Sequence, residues 1–227
     1  PAFFLRGESS DFSGYPRTLE EDSRLLAERG AHVLFAPSDD EMYPGGLEML
    51  SFVDVAGISD PLEGAHRPGH FRGVATVVSK LFNLVGPDVA IFGQKDYQQL
   101  AVIQTMVREL AFPITILPAS TTRAESGLAL SSRNNRLTAA DQQLASRLYQ
   151  TLSGIGESLT RHEKAFSALC QQARDELSSL GFKVDYLEIR NLQLGTSSER
   201  DSEFVILVAA WLGEVRLIDN LVVTIET

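Results

Sequence analysis

Between His70 and Ala119 the sequence switches from helical to strand period and back, and this alternation constrains the fold more than any other feature. "HFRGVATVVSKLFNLVGP" carries apolar residues at helical spacing and stops at Gly86-Pro87. "DVAIFG" is a short apolar run suited to a buried parallel strand, "KDYQQLAVIQTMVREL" returns to helical period, and "FPITILPA" is rich in β-branched residues. Strands alternating with helices predict βαβ units, right-handed crossovers and a doubly wound parallel sheet. Upstream, Thr18 with Glu21 predicts a capping box for a helix ending at Gly30. "AHVLFAP" and "MLSFVDV" read as two more strands, separated by the turn residues Pro44, Gly45 and Gly46.

The pattern changes after Ser120. A polar loop carries "GLALSSRNNRL", Thr138 opens a helix expected to reach about Leu152, and another is expected from about Glu163 to Leu180. The last third is dense in strands: "KVDYLEIRN", "EFVILVAAWL", "EVRLIDN" and "LVVTIE", with Leu212-Gly213-Glu214 as a tight hairpin. We therefore expect an α/β domain over residues 1–122 and a smaller α+β domain with an antiparallel sheet over 123–227. Cys170, the single cysteine, lies in a helical pattern and is expected to be a small core residue.

Twenty Lys and Arg against thirty Asp and Glu give a net charge of −10, and no basic block stands out. Such a chain has little electrostatic grip on a phosphate backbone, so nucleic acid is not expected as a partner. Every apolar run is interrupted well short of the ~18 residues a membrane helix needs. The sequence does not open on a charged stretch followed by an apolar one, so neither a membrane span nor a signal peptide is expected, and a cytoplasmic location is.

In open α/β sheets ligands bind beyond the carboxyl ends of the strands, where loops lead into helices. "FGQKD" lies at such an end. Gly93 allows close backbone approach, the following helix offers free N–H groups, and Lys95 adds a full positive charge, a combination that suits a phosphate. Asp96 also fits the simpler role of a helix cap. In "ALSSRN", Ser131 and Ser132 supply hydroxyl donors and Arg133 a guanidinium fork, groups suited to polyphosphate. The cluster "EGAHRPGHFRG" brings Glu63, His66, Arg67, His70 and Arg72 close in sequence. Pro68 and Gly69 prevent the helix that would put His66 and His70 on one metal, so a zinc site is not expected. The cluster reads either as a zwitterion site, with a carboxylate on Arg67 and an amine on Glu63, or as a polar loop before a helix. One of Gln98 and Gln99 is expected to face the strand ends.

Taken in order, "YPRTLEED", "LEGAHRPGHFRGV", "SKLFNLVGPDVAIFGQKDYQQL", "GLALSSRN", "VDYLEIR" and "LVAAWLG..RLIDN" closely resemble the pantothenate synthetase family. These are the ATP-dependent ligases that join pantoate to β-alanine. The resemblance implies a homodimer with a Rossmann-like domain of the class I aminoacyl-tRNA-synthetase type and a C-terminal lid. It also implies a reaction through pantoyl adenylate with release of pyrophosphate and then AMP. Carried over by motif, Lys95, Ser131, Ser132 and Arg133 would bind phosphate and neutralise charge, Gly93 and Asp96 would meet the ribose, and the backbone near Thr122 and Leu130 the adenine. Phe92 and Gln99 would line the pantoate pocket, Glu63, Arg67 and His70 the region of the amine substrate and pantoate, and Glu21 with Asp22 would lie near Mg2+.

The chain departs from the family pattern in three places. The N-terminal His-x-Gly-His motif has no counterpart, Phe3 of "PAFF" stands where the family has a pantoate-binding glutamine, and Gln94 stands where glutamate is common. The sequence opens on Pro1 in what reads as a loop, so the first domain is expected to be N-terminally incomplete. The alternative to an active ligase is a truncated, silent nucleotide-binding or dimerisation module of the same family.

Overall fold

The computed structural model of the protein describes residues 18–46 and 51–225. In chain order its helices are α1 (Leu19–Glu28), α2 (Asp39–Met42), α3 (Glu63–His66), α4 (His70–Val85), α5 (Tyr97–Glu109), α6 (Ala139–Ala145), α7 (Arg147–Thr160) and α8 (Phe166–Ser179). Its strands are β1 (Val89–Gly93), β2 (Thr115–Ala119), β3 (Lys183–Arg190), β4 (Glu203–Leu212) and β5 (Val215–Thr224). The chain divides into two compact units, one of residues up to 54 together with 69–86, the other of 55–68 together with 87 onward. Among the described residues, no helix is long and apolar enough to cross a membrane.

In the first unit α1 forms as expected, but not with the expected cap. The Thr18 hydroxyl donates to Asp22 at 3.2 Å, and Arg24 draws Glu21 away at 2.6 Å, so the nearby guanidinium outcompetes the backbone for this carboxylate. A capping box forms instead at α2. The Glu41 N–H donates to Ser38 Oγ at 3.2 Å, while the Glu41 carboxylate accepts from the Ser38 N–H at 2.7 Å. The segment "AHVLFAP" forms no strand, nor do residues 51–55 of "MLSFVDV"; Met49, Leu50 and Phe3 lie outside the described residues. A parallel strand exists only through a neighbour, and among the described residues no strand pairs with either segment, leaving Val33, Leu34 and Phe35 exposed. α4 follows the sequence closely. Phe71, Ala75, Val78 and Phe82 make one buried stripe, and the helix ends at Gly86 in the left-handed conformation, φ 59°.

In the second unit β1 and β2 pair in parallel, Val89 opposite Thr115 and Gly93 opposite Ala119, with α5 between them in sequence. This βα turn places Lys95 at the carboxyl end of β1. The C-terminal sheet has the order β3-β4-β5 and is antiparallel. Its central strand β4 is buried on both faces, because alternate side chains enter different clusters. Phe204, Ile206, Val208, Ala210 and Leu212 pack with residues of α7 and α8, including Cys170, as expected for that residue. Val205, Leu207 and Ala209 pack with Leu62, Ala101 and Tyr186. The hairpin at Gly213-Glu214 joins Leu212 to its partner Val215, with Gly213 at φ 58°, where a primed turn needs a positive angle.

Two boundaries differ from the sequence reading. The helix opened by Thr138 stops at Ala145, where the buried Ser146 hydroxyl donates to Gln143 O at 2.7 Å, and α7 then runs on to Thr160. "EVRLIDN" and "LVVTIE" are one strand, β5. Asp219 and Asn220, expected at the end of a strand, lie in mid-strand, and both are buried. Removing Phe204, fully buried on β4, is expected to cost ~3–5 kcal/mol as Phe204→Ala in urea unfolding, whereas Val222→Ala on half-open β5 should stay within ~0.5 kcal/mol.

Candidate active site

Gly93 closes β1, Gln94–Asp96 make one 3-10 turn, and Asp96 stands at the N-cap of α5 without a side-chain cap bond. Asn220 holds the turn from β5: its Nδ2 donates to Gln94 O at 2.9 Å and to Lys95 O at 2.8 Å. Lys95 is largely enclosed. Burial pushes its ammonium pKa down; Asp96 opposes this, Arg133 adds to the depression, and Asp219 and Glu63 oppose it, leaving the value below the ordinary 10.5.

The second loop is a short hairpin. The Leu130 N–H donates to Thr122 O at 2.9 Å, and Arg123 bridges to Ala129, so the backbone at Thr122 and Leu130 meets as one feature. Arg123 is its anchor, donating to Asp219 through a fork at 2.7 and 2.9 Å and to Gly127 O at 3.1 Å. Its guanidinium lies 3.7 Å from the centre of the Tyr149 ring. Gly127 sits at φ 89°, and a Cβ there would stand 2.9 Å from Tyr149 Cδ1, so the turn requires glycine. Ser131 Oγ accepts from the Arg133 N–H at 3.2 Å, opening the 3-10 turn Ser132–Arg136. Beneath it the buried Asn134 donates to Ala129 O at 2.9 Å. Lys95, Ser131, Arg133, Arg216 and Asp219 line one pocket. Ser132 is exposed beside it.

Glu63 opens α3 after Leu62, whose backbone is held at φ 55°. Its N–H donates to Gln98 Oε1 at 3.0 Å, and Gln98 Nε2 donates to Ile58 O and Pro61 O, so Gln98 is spent on the backbone and the neighbouring Gln99 is left half-buried. The Glu63 carboxylate is buried and accepts from Arg216 at 2.7 and 2.9 Å and from the Tyr186 hydroxyl at 2.9 Å. Arg216 also donates to Asp185 at 2.7 Å, which accepts from the Trp211 indole at 3.2 Å. Burial alone would push the Glu63 carboxyl up; the bonds and charge of Arg216, with Tyr186 and Arg67, hold it below the carboxylate range. Burial, and then the Glu63 charge, push the Tyr186 phenol up.

Arg67 closes α3, with a guanidinium 3.8 Å from Glu63. Phe92 is half-buried in β1. His70 opens α4 in the first unit, its ring 5.0 Å from Phe71. Glu21 and Asp22 are exposed on α1 and engaged with Arg24 and Thr18. Two carboxylates with local partners do not make a metal cage, and among the described residues no group of three His, Cys, Asp or Glu side chains is placed to hold an ion. The residues that sequence reasoning missed are Arg123, Asp185, Tyr186, Arg216, Asp219 and Asn220. For all but Arg123 the only signal was the polar interruption of apolar strands in "VDYLEIR" and "RLIDN".

A parallel βα turn and a Ser-Arg loop that share a cationic pocket, beside a small antiparallel domain, define an α/β protein of the nucleotidyltransferase-like class. The comparisons narrow this. The model of the Pantoate-beta-alanine ligase family matches residues 1–222. A pantothenate synthetase from Pseudomonas putida is 51% identical over 221 residues, 97% of this chain and 77% of that relative. The crystal structure of pantothenate synthetase from Thermus thermophilus superposes with a TM-score of 0.88 at 43% identity, covering 95% of this chain and 78% of that one. A Francisella tularensis pantoate-beta-alanine ligase, solved in complex with beta-gamma ATP and beta-alanine, matches with a TM-score of 0.75 at 33% identity over 93% and 72% of the two chains. The chain belongs to the pantoate-beta-alanine ligase family.

Because Glu63 is buried against Arg216, Glu63→Gln is expected to cost ~3–5 kcal/mol by leaving Asp185 as the one carboxylate bonded to the guanidinium. A depressed carboxyl pKa contributes stability that is fully present above the ordinary value of 4.5 and is lost as pH falls through the folded value. The gap between wild type and Glu63→Gln in thermal melts should therefore be constant at neutral pH and shrink only below that value.

Proposed function

We propose that this protein joins pantoate to β-alanine using ATP, giving pantothenate, AMP and pyrophosphate. It is a ligase that forms an amide bond. The pantoate carboxylate attacks the α-phosphorus of ATP, pyrophosphate leaves, and the β-alanine amine then displaces AMP from pantoyl adenylate. The observation that carries this reading is the meeting of Lys95, Ser131 and Arg133 in one pocket beyond β1, in a chain of this family.

Phosphoryl chemistry asks a protein chiefly for positioning and for fixed positive charge over the developing negative charge. Lys95 and Arg133 supply that charge, and Ser131 and Ser132 donate to phosphate oxygens. Gly93 leaves room for the ribose at the strand end, with Asp96 accepting from its hydroxyls. The hairpin joining Thr122 to Leu130 offers backbone groups to the adenine. Phe92 and Gln99 receive pantoate. Arg67 serves the carboxylate of a substrate, and Glu63, whose oxygens are taken by Arg216 and Tyr186, keeps Arg67 in place. By motif, His70 belongs to the substrate region, and Glu21 with Asp22 are the residues offered for Mg2+. Residues 1–122 form the nucleotide-binding part and 123–227 the lid. The protein works in the cytoplasm as a homodimer, a state favoured by the exposed Ile91 and Leu117, which are partners across β1 and β2.

AMP release from ATP is expected to require pantoate and β-alanine together, and Lys95→Ala or Arg133→Ala to slow it by about a hundredfold, as loss of ~3 kcal/mol of transition-state stabilisation implies. Release without either substrate, or unchanged release by both variants, would count against the reading. Lys95 should also lose its charge at a lower pH than an ordinary lysine. The Kd for ATP, measured by calorimetry, should weaken as pH rises through that depressed value, while Lys95→Arg, which stays charged, should hold its affinity level over the same range.

A further inference from the structure

We propose that Asp219 and Asn220 are positioning residues that set the two nucleotide loops against each other; this rests on the nucleotide reading above. The two are neighbours in the middle of β5, and successive side chains of a strand point to opposite faces. Asp219 shares its face with Leu217 and Val223, which pack in the cluster that includes α7 residues, and there it holds Arg123 through both carboxylate oxygens. Asn220 shares its face with Ile218, on the side of Ala101 in α5, and there it donates to the carbonyls of Gln94 and Lys95. One strand thus grips the Ser-Arg hairpin with one residue and the lysine turn with the next.

The two grips are also joined to each other. The Asn220 N–H donates to Asp219 Oδ1 at 2.8 Å, and Arg123 donates to Asn220 O at 3.2 Å. Both residues are buried, with 5% and 6% exposure, in a strand where burial elsewhere falls to apolar side chains. Buried polar groups at such a position need a full set of partners. Here the partners are the backbone of one loop and the anchor of the other. The turn from Gln94 to Asp96 has no side-chain cap of its own, so Asn220 supplies what the local sequence does not. Lys95 reaches the pocket only if its carbonyl, and hence its Cα, is held; a shift of 1 Å in such a group is enough to lose a hundredfold in rate.

The test is Asn220→Asp, which keeps the shape but replaces two donors with a carboxylate facing two carbonyl oxygens. Deuterium uptake by peptides covering 94–98 is expected to rise, the Kd for ATP to weaken by tenfold or more, and the KM for β-alanine to stay within twofold, while uptake in α7 and β4 stays at the wild-type level. Asp219→Asn, the second variant, should instead raise uptake in 122–130. Wild-type uptake over 94–98 in Asn220→Asp, or unchanged ATP affinity, would overturn the proposal. So would a rise spread over α7 and β4, the mark of a general structural role. If Lys95→Ala binds ATP as well as wild type does, the nucleotide reading itself fails and the positioning role with it, even where uptake over 94–98 still reports the local bond.

Discussion

A carboxylate inside a protein persists as an anion only when its charge is matched and its oxygens are bonded, and Glu63 meets both conditions through residues far along the chain. Arg216 is separated from it by 153 positions and Tyr186 by 123. The bond set forms only when β5 has paired with β4, β4 with β3, and α5 has brought Gln98 to the Glu63 N–H. The segment 55–68 has little regular structure of its own. Its placement follows from this one anion, together with Leu62 under the β4 face. Losing either charge leaves the other buried, which is why such a pair acts as a lock more than as a source of net stability.

The charge distribution works on two scales. The chain carries −10 overall, which discourages polyanions in general. Yet Lys95, Arg133 and Arg216 converge on one small pocket, where low local dielectric strengthens their field. Arg216 is matched by Glu63 and Asp185, while Lys95 feels burial and the Arg133 charge on one side and the charges of Asp96, Asp219 and Glu63 on the other.

Much of this was readable along the chain where signals are local. The βα turn at Gly93–Asp96, the Ser-Ser-Arg loop, the Gly86 stop and the Gly213 hairpin each depend on a few adjacent residues, and each is where it was expected. Errors arose where a local signal had a non-local competitor. The Thr18–Glu21 box lost to Arg24, and "AHVLFAP" has strand composition without a strand beside it among the described residues. A strand was expected to end at the polar pair Asp219-Asn220, which is instead bonded in mid-strand to Arg123 and to the lysine turn, partners 96 and 125 or more positions away. Arg216 and Asp185 gave only the weak cue of a charge in an apolar strand, since a charged residue in a strand is by default a solvent-facing one.

The two-residue loop at Gly213-Glu214 gains a further meaning from β5. Position 216 must face Glu63, 219 must face Arg123 and 220 must face the lysine turn, and their orientations alternate with the pleat. Parity is therefore part of this arrangement: adding or deleting one residue in that hairpin would exchange the two faces along the whole strand, delivering Val215 or Leu217 to the acid and Arg216 to the apolar layer. A surface turn thus acts as the counting device for the pocket, and its length is under the same constraint as the buried residues it registers.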